Sequence, residues 1–308
     1  MKLNFRKLGI FVALTMVLML GALLLAFSYI DIGLTGLADG EAKHVSITDL
    51  SEIPESVAED ASAMAMELCG DYHDKYDEFV NQLLTVYVEA KDSDCVVIFN
   101  PGGWGNKMLA SSPGWYEICQ GIESELDRLG YSSLVFDYQR TDKNIRGINK
   151  ELVELFSVYP SKAKSLAGRV EFLTRNIPDL KVIVAGESNG SIISDTVMDM
   201  LQDNPRVYSI QTGPPFWHKR MAMERTLVLE SNGRLPDSFS HGDTVKMVIT
   251  SLKALVGIPL PEDEDPGRIF YFLRAPGHDY YWQYPGVNLE ITGFLEENFG
   301  SDGHISNN

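Results

Sequence analysis

Four short, mostly apolar runs, the first three each followed by a helical pattern, constrain the fold of this chain more than any other feature. The runs are CVVIFN, SSLVFDY, KVIVAG and VYSIQTG, and they begin at residues 95, 132, 181 and 207. Apolar runs without polar alternation indicate strands that are buried on both faces, as in a parallel sheet. Because strands that alternate with helices form parallel β-α-β units, the sequence predicts an α/β fold, a three-layer α/β/α sandwich with a mostly parallel sheet.

Apolar periodicity predicts the helices and two later strands. The predicted helices cover residues 54–90, 116–129, 144–176, 188–202, 243–256 and 287–298. The run RIFYFL (268–273) is expected to be the last strand, and TLVLES (226–231) is a candidate for the strand before it. Residues 214–266 are less regular and are expected to form a lid or insertion, to which TLVLES belongs if it is helical.

The amino terminus predicts a membrane segment. Residues 8–30 contain no charged side chain, and at about 1.5 Å per residue a helix of this length matches a hydrocarbon core of roughly 30 Å. Lys2, Arg6 and Lys7 precede the segment and Asp31 follows it. The positive-inside rule therefore predicts a single-pass signal-anchor, with the first residues in the cytoplasm and the remainder outside it.

A cleaved signal peptide is the alternative for this segment. Ala26, Phe27 and Ser28 form a small-x-small pattern that a signal peptidase could cleave. With a retained anchor, the chain divides into a cytoplasmic stub and membrane helix (1–30), a polar tether (31–53), a folded domain (54–300) and a tail (301–308). The folded domain then begins with a helical extension (54–90). In both cases the domain works outside the cytoplasm.

Charge and cysteine content exclude several function classes. The net charge is −17, from 43 acidic and 26 basic residues, so the chain is expected to repel nucleic acids. The three cysteines show no CxxC spacing, and no dinucleotide or P-loop motif follows a strand. Acidic residues and a histidine at 71–77 are interpreted as a solvated helix face rather than a metal site. We therefore predict no cofactor, metal or nucleic-acid partner.

The sequence GESNG (186–190, called the elbow below) fits the pattern G-x-S-x-G. It follows a predicted buried strand and opens a predicted helix, which is the context that a nucleophilic serine in this motif requires. The turn presents the Ser188 hydroxyl at a helix amino terminus, where the dipole and unpaired N–H groups favour an anion. Ser188 is thus the candidate nucleophile, against the alternative of an ordinary glycine-rich turn.

A second glycine-rich segment, PGGWG (101–105, called the glycine loop below), directly follows the first strand. In a parallel sheet this loop faces the elbow, and acyl transfer requires N–H donors directed at the developing oxyanion. The candidate donors are the amides of Gly103 or Trp104 together with that of Asn189. The alternative is a simple turn that ends the strand.

His278 is the candidate general base. It lies in APGHDYYW, beyond the RIFYFL run and before the last predicted helix. A base must come within hydrogen-bond reach of the hydroxyl that it activates. Tyrosines and a tryptophan follow His278, and these aromatic residues either line a substrate pocket or pack under the last helix.

From the elbow, the glycine loop and the late Gly277-His278, the chain resembles the α/β-hydrolase superfamily over roughly residues 95–300. The resemblance implies a triad in the order Ser, acid, His. It also implies an acid after the strand that precedes the last one, so Asp237 is the first candidate and Asp243 the second. The helical region before the first strand departs from the superfamily pattern and predicts a sheet trimmed at its amino-terminal strands.

The sequence therefore predicts a membrane-anchored, extracytoplasmic serine hydrolase of carboxylic esters. Ser188 would form an acyl-enzyme with a small-molecule acyl substrate, and His278 would act as the base. Two alternatives remain open at this point. The same residues could serve an acyltransferase or peptidase, or the chain could be a non-catalytic binding or scaffold protein with this fold.

Overall fold

The computed structural model describes residues 53–69, 73–103, 105, 107–138, 159–221, 223–258, 267–270 and 273–300. The predicted membrane segment, the tether up to residue 52 and the tail 301–308 lie outside these residues. No helix among the described residues is long and apolar enough to cross a bilayer.

Helices and strands alternate through most of the described chain. The helices are α1 (Glu55–Cys69), α2 (His73–Ala90), α3 (Pro113–Arg128), α4 (Pro160–Asn176), α5 (Asn189–Met200), α6 (Thr244–Leu255) and α7 (Pro285–Phe299). The strands are β1 (Cys95–Asn100), β2 (Ser133–Asp137), β3 (Lys181–Glu187), β4 (Val207–Thr212), β5 (Thr226–Leu229), β6 (Arg268–Phe270) and β7 (Leu273–Arg274).

The first five strands form one parallel sheet in the order β2-β1-β3-β4-β5. The order changes direction at β1, because β2 lies on one side of it and β3 on the other. In register, Ile98 of β1 pairs with Phe136 of β2 and with Val184 of β3. The four apolar runs and TLVLES are thus the strands of a single sheet.

The central strands β1, β3 and β4 are buried on both faces of the sheet, as their apolar runs predicted. Val96 and Ile98 face a core formed with α1, α2, α4 and α5. Their neighbours Val97 and Phe99 face a second core formed with α3 and α7. Alternate residues of one strand therefore contact helices on opposite sides. This three-layer arrangement, with the strand–Ser188–helix turn described below, fits the α/β-hydrolase fold that the sequence resembles.

The prediction that RIFYFL forms the last strand of the sheet was wrong. Its two described pieces, β6 and β7, pair with each other in antiparallel fashion and do not join the main sheet. Ile269 and Leu273 instead pack on a small core of Phe239, Met247 and Ala275. The apolar run is explained by this third core, and β5 is the last strand of the main sheet.

The range 214–266 is correspondingly not one insertion. It contains β5, which pairs with β4 along Ser209–Thr212 in the main sheet, and it also contains α6. Only the segments on either side of β5 lie outside the sheet. Residues 259–266 at the end of this range lie outside the described residues.

Candidate active site

The candidate groups gather at the carboxyl ends of the parallel strands. The glycine loop follows β1, Ser188 follows β3, Gly213 follows β4 and Asp237 lies in the segment after β5. Ligand sites of open α/β sheets form at this edge, beside the strand where the order changes direction. The topology therefore brings together residues that are far apart in the sequence.

Ser188 occupies a sharp turn between β3 and α5. Its backbone has φ 50° and ψ −116°, a region that L residues rarely adopt and that costs on the order of 1–3 kcal/mol. The Ser188 N–H donates to the carbonyl of Thr212, at 2.8 Å, and so fixes the turn to the end of β4. Ser188 is 7% exposed, at the first turn of a helix whose leading N–H groups have no partner within the helix.

Close contact with β1 explains the glycine that ends the elbow. A Cβ atom on Gly190 would lie 2.1 Å from the carbonyl oxygen of Asn100. The Asn100 side chain in turn donates to the Gly190 carbonyl, at 2.9 Å. The start of α5 can therefore approach the end of β1 only if residue 190 has no side chain.

The glycine loop contacts both neighbours of Ser188. The Gly102 N–H donates to Glu187 Oε2 at 3.0 Å, and Asn189 Nδ2 donates to the Gly103 carbonyl at 3.2 Å. Gly103 has φ +58°, which suits a residue without Cβ. Trp104, the other predicted oxyanion donor of this loop, lies outside the described residues.

His278 and Asp237 form a buried pair. His278 Nδ1 lies 2.8 Å from Asp237 Oδ2, and the two side chains are 8% and 0% exposed. Because an ionised carboxylate only accepts hydrogen bonds, Nδ1 carries the proton and Nε2 of the neutral imidazole is the acceptor. This is the orientation in which an acid holds a general base.

The Asp237 carboxylate is surrounded by donors. Its Oδ2 also accepts from the Tyr280 hydroxyl at 2.8 Å and from the Ser240 hydroxyl at 3.0 Å. Its Oδ1 accepts from the backbone N–H groups of Phe239 and Ser240. These contacts satisfy a buried charge that would otherwise be strongly unfavourable.

The pKa values of the pair move apart. Burial by itself opposes charge on both groups, but the Asp237 hydrogen bond and the charges of Asp237, Glu187 and Asp279 outweigh it and raise the pKa of His278. For Asp237, the hydrogen bonds from His278 and Tyr280, together with the His278 charge, outweigh burial and lower the pKa. The pair therefore favours an ionised acid beside an imidazole that accepts a proton readily.

The end of β4 joins this pair to the elbow. A Cβ on Gly213 would lie 2.7 Å from His278 Cε1 and 3.0 Å from Asp237 Oδ2, while the preceding residue, Thr212, accepts the Ser188 N–H. Ser188 and His278 are both described residues, and no hydrogen bond joins Ser188 Oγ to the imidazole. Such contacts commonly shorten only when substrate binds.

Asp243, the second candidate acid, has a different position. It is the N-cap of α6, and its side chain accepts from the Lys246 N–H at 3.0 Å. A carboxylate in this role satisfies one of the orphan amides of a helix start. Of the two candidate aspartates, the structure brings Asp237 to His278.

The other histidines do not join the pair. His218 Nε2 lies 2.9 Å from Asp195 Oδ2 of α5, and this second pair is also buried. His241 is exposed. His44 and His304 lie outside the described residues, as does the side chain of His73, so the predicted solvated face at 71–77 is not described in full.

Aromatic rings continue outward from His278. The Phe239 ring centroid lies 4.9 Å from that of His278, and the Trp217 centroid lies 5.2 Å from Phe239. Phe216 packs edge-to-face on Trp217 at 5.0 Å. Phe216 and Trp217 are about half exposed, so an apolar wall extends from the imidazole to the surface. We call these three residues, Phe216, Trp217 and Phe239, the aromatic wall.

Sequence reasoning did not identify several residues of the site. For the aromatic residues after His278, which include Tyr280, the sequence predicts either a pocket or a packing role, whereas the Tyr280 hydroxyl contacts the acid. Asp237 Oδ1 accepts the N–H of Phe239, two residues on, which is the contact of an Asx turn, and the tendency of aspartate to form such turns is a local signal that could have marked Asp237 as a structured acceptor. Glu187 occupies the variable position of the elbow, and no local pattern indicated its contact with the glycine loop.

No protein-family model and no curated protein match this chain. Among solved structures it is similar to that of Trichoderma reesei cutinase in complex with a C11Y4 phosphonate inhibitor. The match has a TM-score of 0.35 and 12% sequence identity, and it covers 58% of this chain and 77% of that chain. A likeness of this strength carries no argument about chemistry, which depends on the geometry described above.

Proposed function

We propose that this chain is a serine hydrolase that cleaves carboxylic esters through an acyl-enzyme. The observation that carries the proposal is the buried His278–Asp237 contact of 2.8 Å at the sheet edge that also bears the strained Ser188 turn. A histidine oriented by an ionised acid, at the same edge of the sheet as a serine at a helix start, favours activation of that hydroxyl.

In the proposed reaction, His278 Nε2 takes the Ser188 proton while Oγ attacks the acyl carbon. The oxyanion receives hydrogen bonds from the Asn189 amide and from the glycine loop, for which Gly103 and Trp104 remain the candidate donors. Protonated His278 then gives its proton to the leaving alkoxide. A water molecule, deprotonated by His278, attacks the acyl-enzyme and releases the acid.

The aromatic wall favours esters with an apolar group next to the reacting carbonyl. Its rings begin 4.9 Å from the imidazole and present apolar surface at the mouth of the site. Burial of each CH₂ group on such a surface contributes about 0.8 kcal/mol. Activity is therefore expected to increase with acyl chain length over a short homologous series.

The proposal includes location at a membrane, with the folded domain outside the cytoplasm. It rests on the charge-free segment 8–30 and the basic residues before it, which lie outside the described residues. Secretion after cleavage of this segment is the alternative. Carbonate extraction of membranes and the mass of the mature amino terminus would distinguish the two.

The function is tested by hydrolysis of p-nitrophenyl esters of two to twelve acyl carbons by the full chain. Activity is expected in the wild type and in the exposed-histidine control His241→Ala, and it should be lost in Ser188→Ala and His278→Ala. A folded wild-type protein without activity on any of the series would overturn the ester-hydrolase proposal.

A further inference from the structure

Both residues that flank the candidate nucleophile hold the glycine loop, and one of them carries a charge. Glu187 Oε2 accepts the Gly102 N–H at 3.0 Å, and Asn189 Nδ2 donates to the Gly103 carbonyl at 3.2 Å. The two contacts lie on adjacent residues of the loop and on opposite sides of Ser188. Together they fix the spacing between the loop and the nucleophile.

We infer that Glu187 is a positioning residue of the site, whose carboxylate holds the glycine loop in place for the oxyanion. The inference rests on the proposed function and names a residue that acts through the loop rather than on the substrate. It assigns a role to the variable second position of the elbow.

Packing supports this role beyond the single hydrogen bond. A Cβ on Gly102 would meet Glu187 Cγ, its carbonyl oxygen and Oε2, each at 3.1 Å. The loop backbone therefore lies directly on the Glu187 side chain. Because the contact uses the Gly102 amide, that amide is not an oxyanion donor, and the donors of the loop must come from the residues after it.

The position of the loop matters because donors act only over a narrow range of distances. Stabilisation of an oxyanion requires N–H groups about 2.7–3.1 Å from it. A shift of the order of 1 Å in such a group can lower the rate about 100-fold. A loop held at one end by β1 and at its middle by Glu187 and Asn189 keeps its position without a contribution from substrate.

The charge of Glu187 has a second effect that a neutral acceptor would not have. It acts on His278, as do the charges of Asp237 and Asp279, and each favours the protonated imidazole. Replacement of Glu187 by glutamine keeps an oxygen acceptor for the Gly102 N–H and removes this charge. Alanine removes both, so the two variants separate positioning from electrostatics.

The test compares Glu187→Gln, Glu187→Ala and Asp279→Asn in the full chain, with thermal melting as the check on folding. Glu187→Ala is expected to lower kcat about 10- to 100-fold with little change in KM. At pH values above the apparent pKa of the rate profile, kcat of Glu187→Gln should stay within about threefold of the wild-type value. The apparent pKa itself should be lower than in wild type. Asp279→Asn, the matched control, should shift the profile in the same direction without the loss of kcat seen in Glu187→Ala.

Hydrogen exchange provides a readout that does not depend on catalysis. Amides of the glycine loop should exchange faster in Glu187→Ala than in wild type and Glu187→Gln, because the hydrogen bond that protects the loop is lost. If the wild type is inactive but this difference is present, the proposed function fails and the positioning role stands. Equal exchange in all three, or a Glu187→Gln kcat as low as that of Glu187→Ala, overturns the inference.

Discussion

His278 Nδ1 donates to Asp237 Oδ2 at 2.8 Å in a site where the aspartate side chain is completely buried. The two residues come from different parts of the chain: Asp237 follows the last strand of the main sheet, and His278 follows the β6–β7 hairpin. The hairpin packs on Phe239, which is itself in contact with His278. The hairpin, although outside the sheet, thereby supports the position of the imidazole.

The two candidate acids predict opposite mutant phenotypes. Asp237→Asn should lower kcat/KM about 10³- to 10⁴-fold, since the histidine loses the charge that orients it and stabilises its protonated form. Asp243→Asn should leave kcat/KM almost unchanged, because asparagine also caps helices well. Ester hydrolysis by both variants checks this. A larger loss of kcat/KM in Asp243→Asn than in Asp237→Asn would show that Asp237 is not the acid.

The raised pKa of His278 predicts a rate that increases with pH. The proposed base works only when neutral, so kcat/KM should rise through an apparent pKa above the ordinary value of about 6.5. A profile measured between pH 5 and 10 gives this value directly. A rate that falls through this range would contradict a neutral histidine as the base.

The same shift predicts the opposite pH dependence for stability. A raised pKa means that the folded protein binds the proton more tightly than the unfolded chain does. The charge-dependent stabilisation from His278 is then fully present below about pH 6.5 and is lost as the pH rises through the raised pKa. Urea unfolding of wild type and His278→Gln should differ more at pH 6 than at pH 9, and an equal difference would exclude this linkage.

Tyr280 should stabilise the buried acid. Its hydroxyl lies 2.8 Å from Asp237 Oδ2 and 3.1 Å from the Leu229 carbonyl oxygen. Tyr280→Phe leaves both acceptors with one donor fewer and should lower the free energy of unfolding by about 1–3 kcal/mol. Tyr116→Phe, at an exposed tyrosine, is the control and should change stability little; equal stability of the two variants would refute the role of Tyr280.

Gly190 and Gly293 form a matched pair of helical glycines. A Cβ on Gly190 would lie 2.1 Å from the Asn100 carbonyl oxygen, whereas one on Gly293 would meet nothing within 4 Å. Gly190→Ala should therefore separate α5 from β1 and abolish activity. Gly293→Ala should raise stability by about 0.5–1 kcal/mol through helix propensity. Thermal melting and ester hydrolysis check both, and an active Gly190→Ala would contradict the close contact.

The main sheet and the elbow could be predicted because their signals are local. Each of the runs that became β1 to β4 is mostly apolar, and the elbow lies between one such run and a helix. RIFYFL carries the same local signal, and periodicity cannot tell whether its burial comes from the main sheet or from a separate core. RIFYFL packs on the small core under α6, and the prediction that it is the last strand of the sheet was therefore wrong.

The acid and its supporting residues depend on contacts between distant segments. Asp237 and Asp243 both follow β5, and their sequences allow either to face His278. Asp243 is followed directly by an amphipathic helix, which in retrospect is an N-cap pattern. Glu187 and Gly102 are 85 positions apart in the sequence, and Tyr280 and Asp237 are 43 apart. A local sequence pattern cannot predict contacts over such separations.

The central claim is that Ser188 is an activated nucleophile, and labelling by a fluorophosphonate followed by mass mapping tests it most directly. We predict one adduct per wild-type chain, located on Ser188, with no labelling of Ser188→Ala or His278→Ala and full labelling of His241→Ala. A folded wild-type protein without an adduct, or an adduct that persists in Ser188→Ala, would contradict the account.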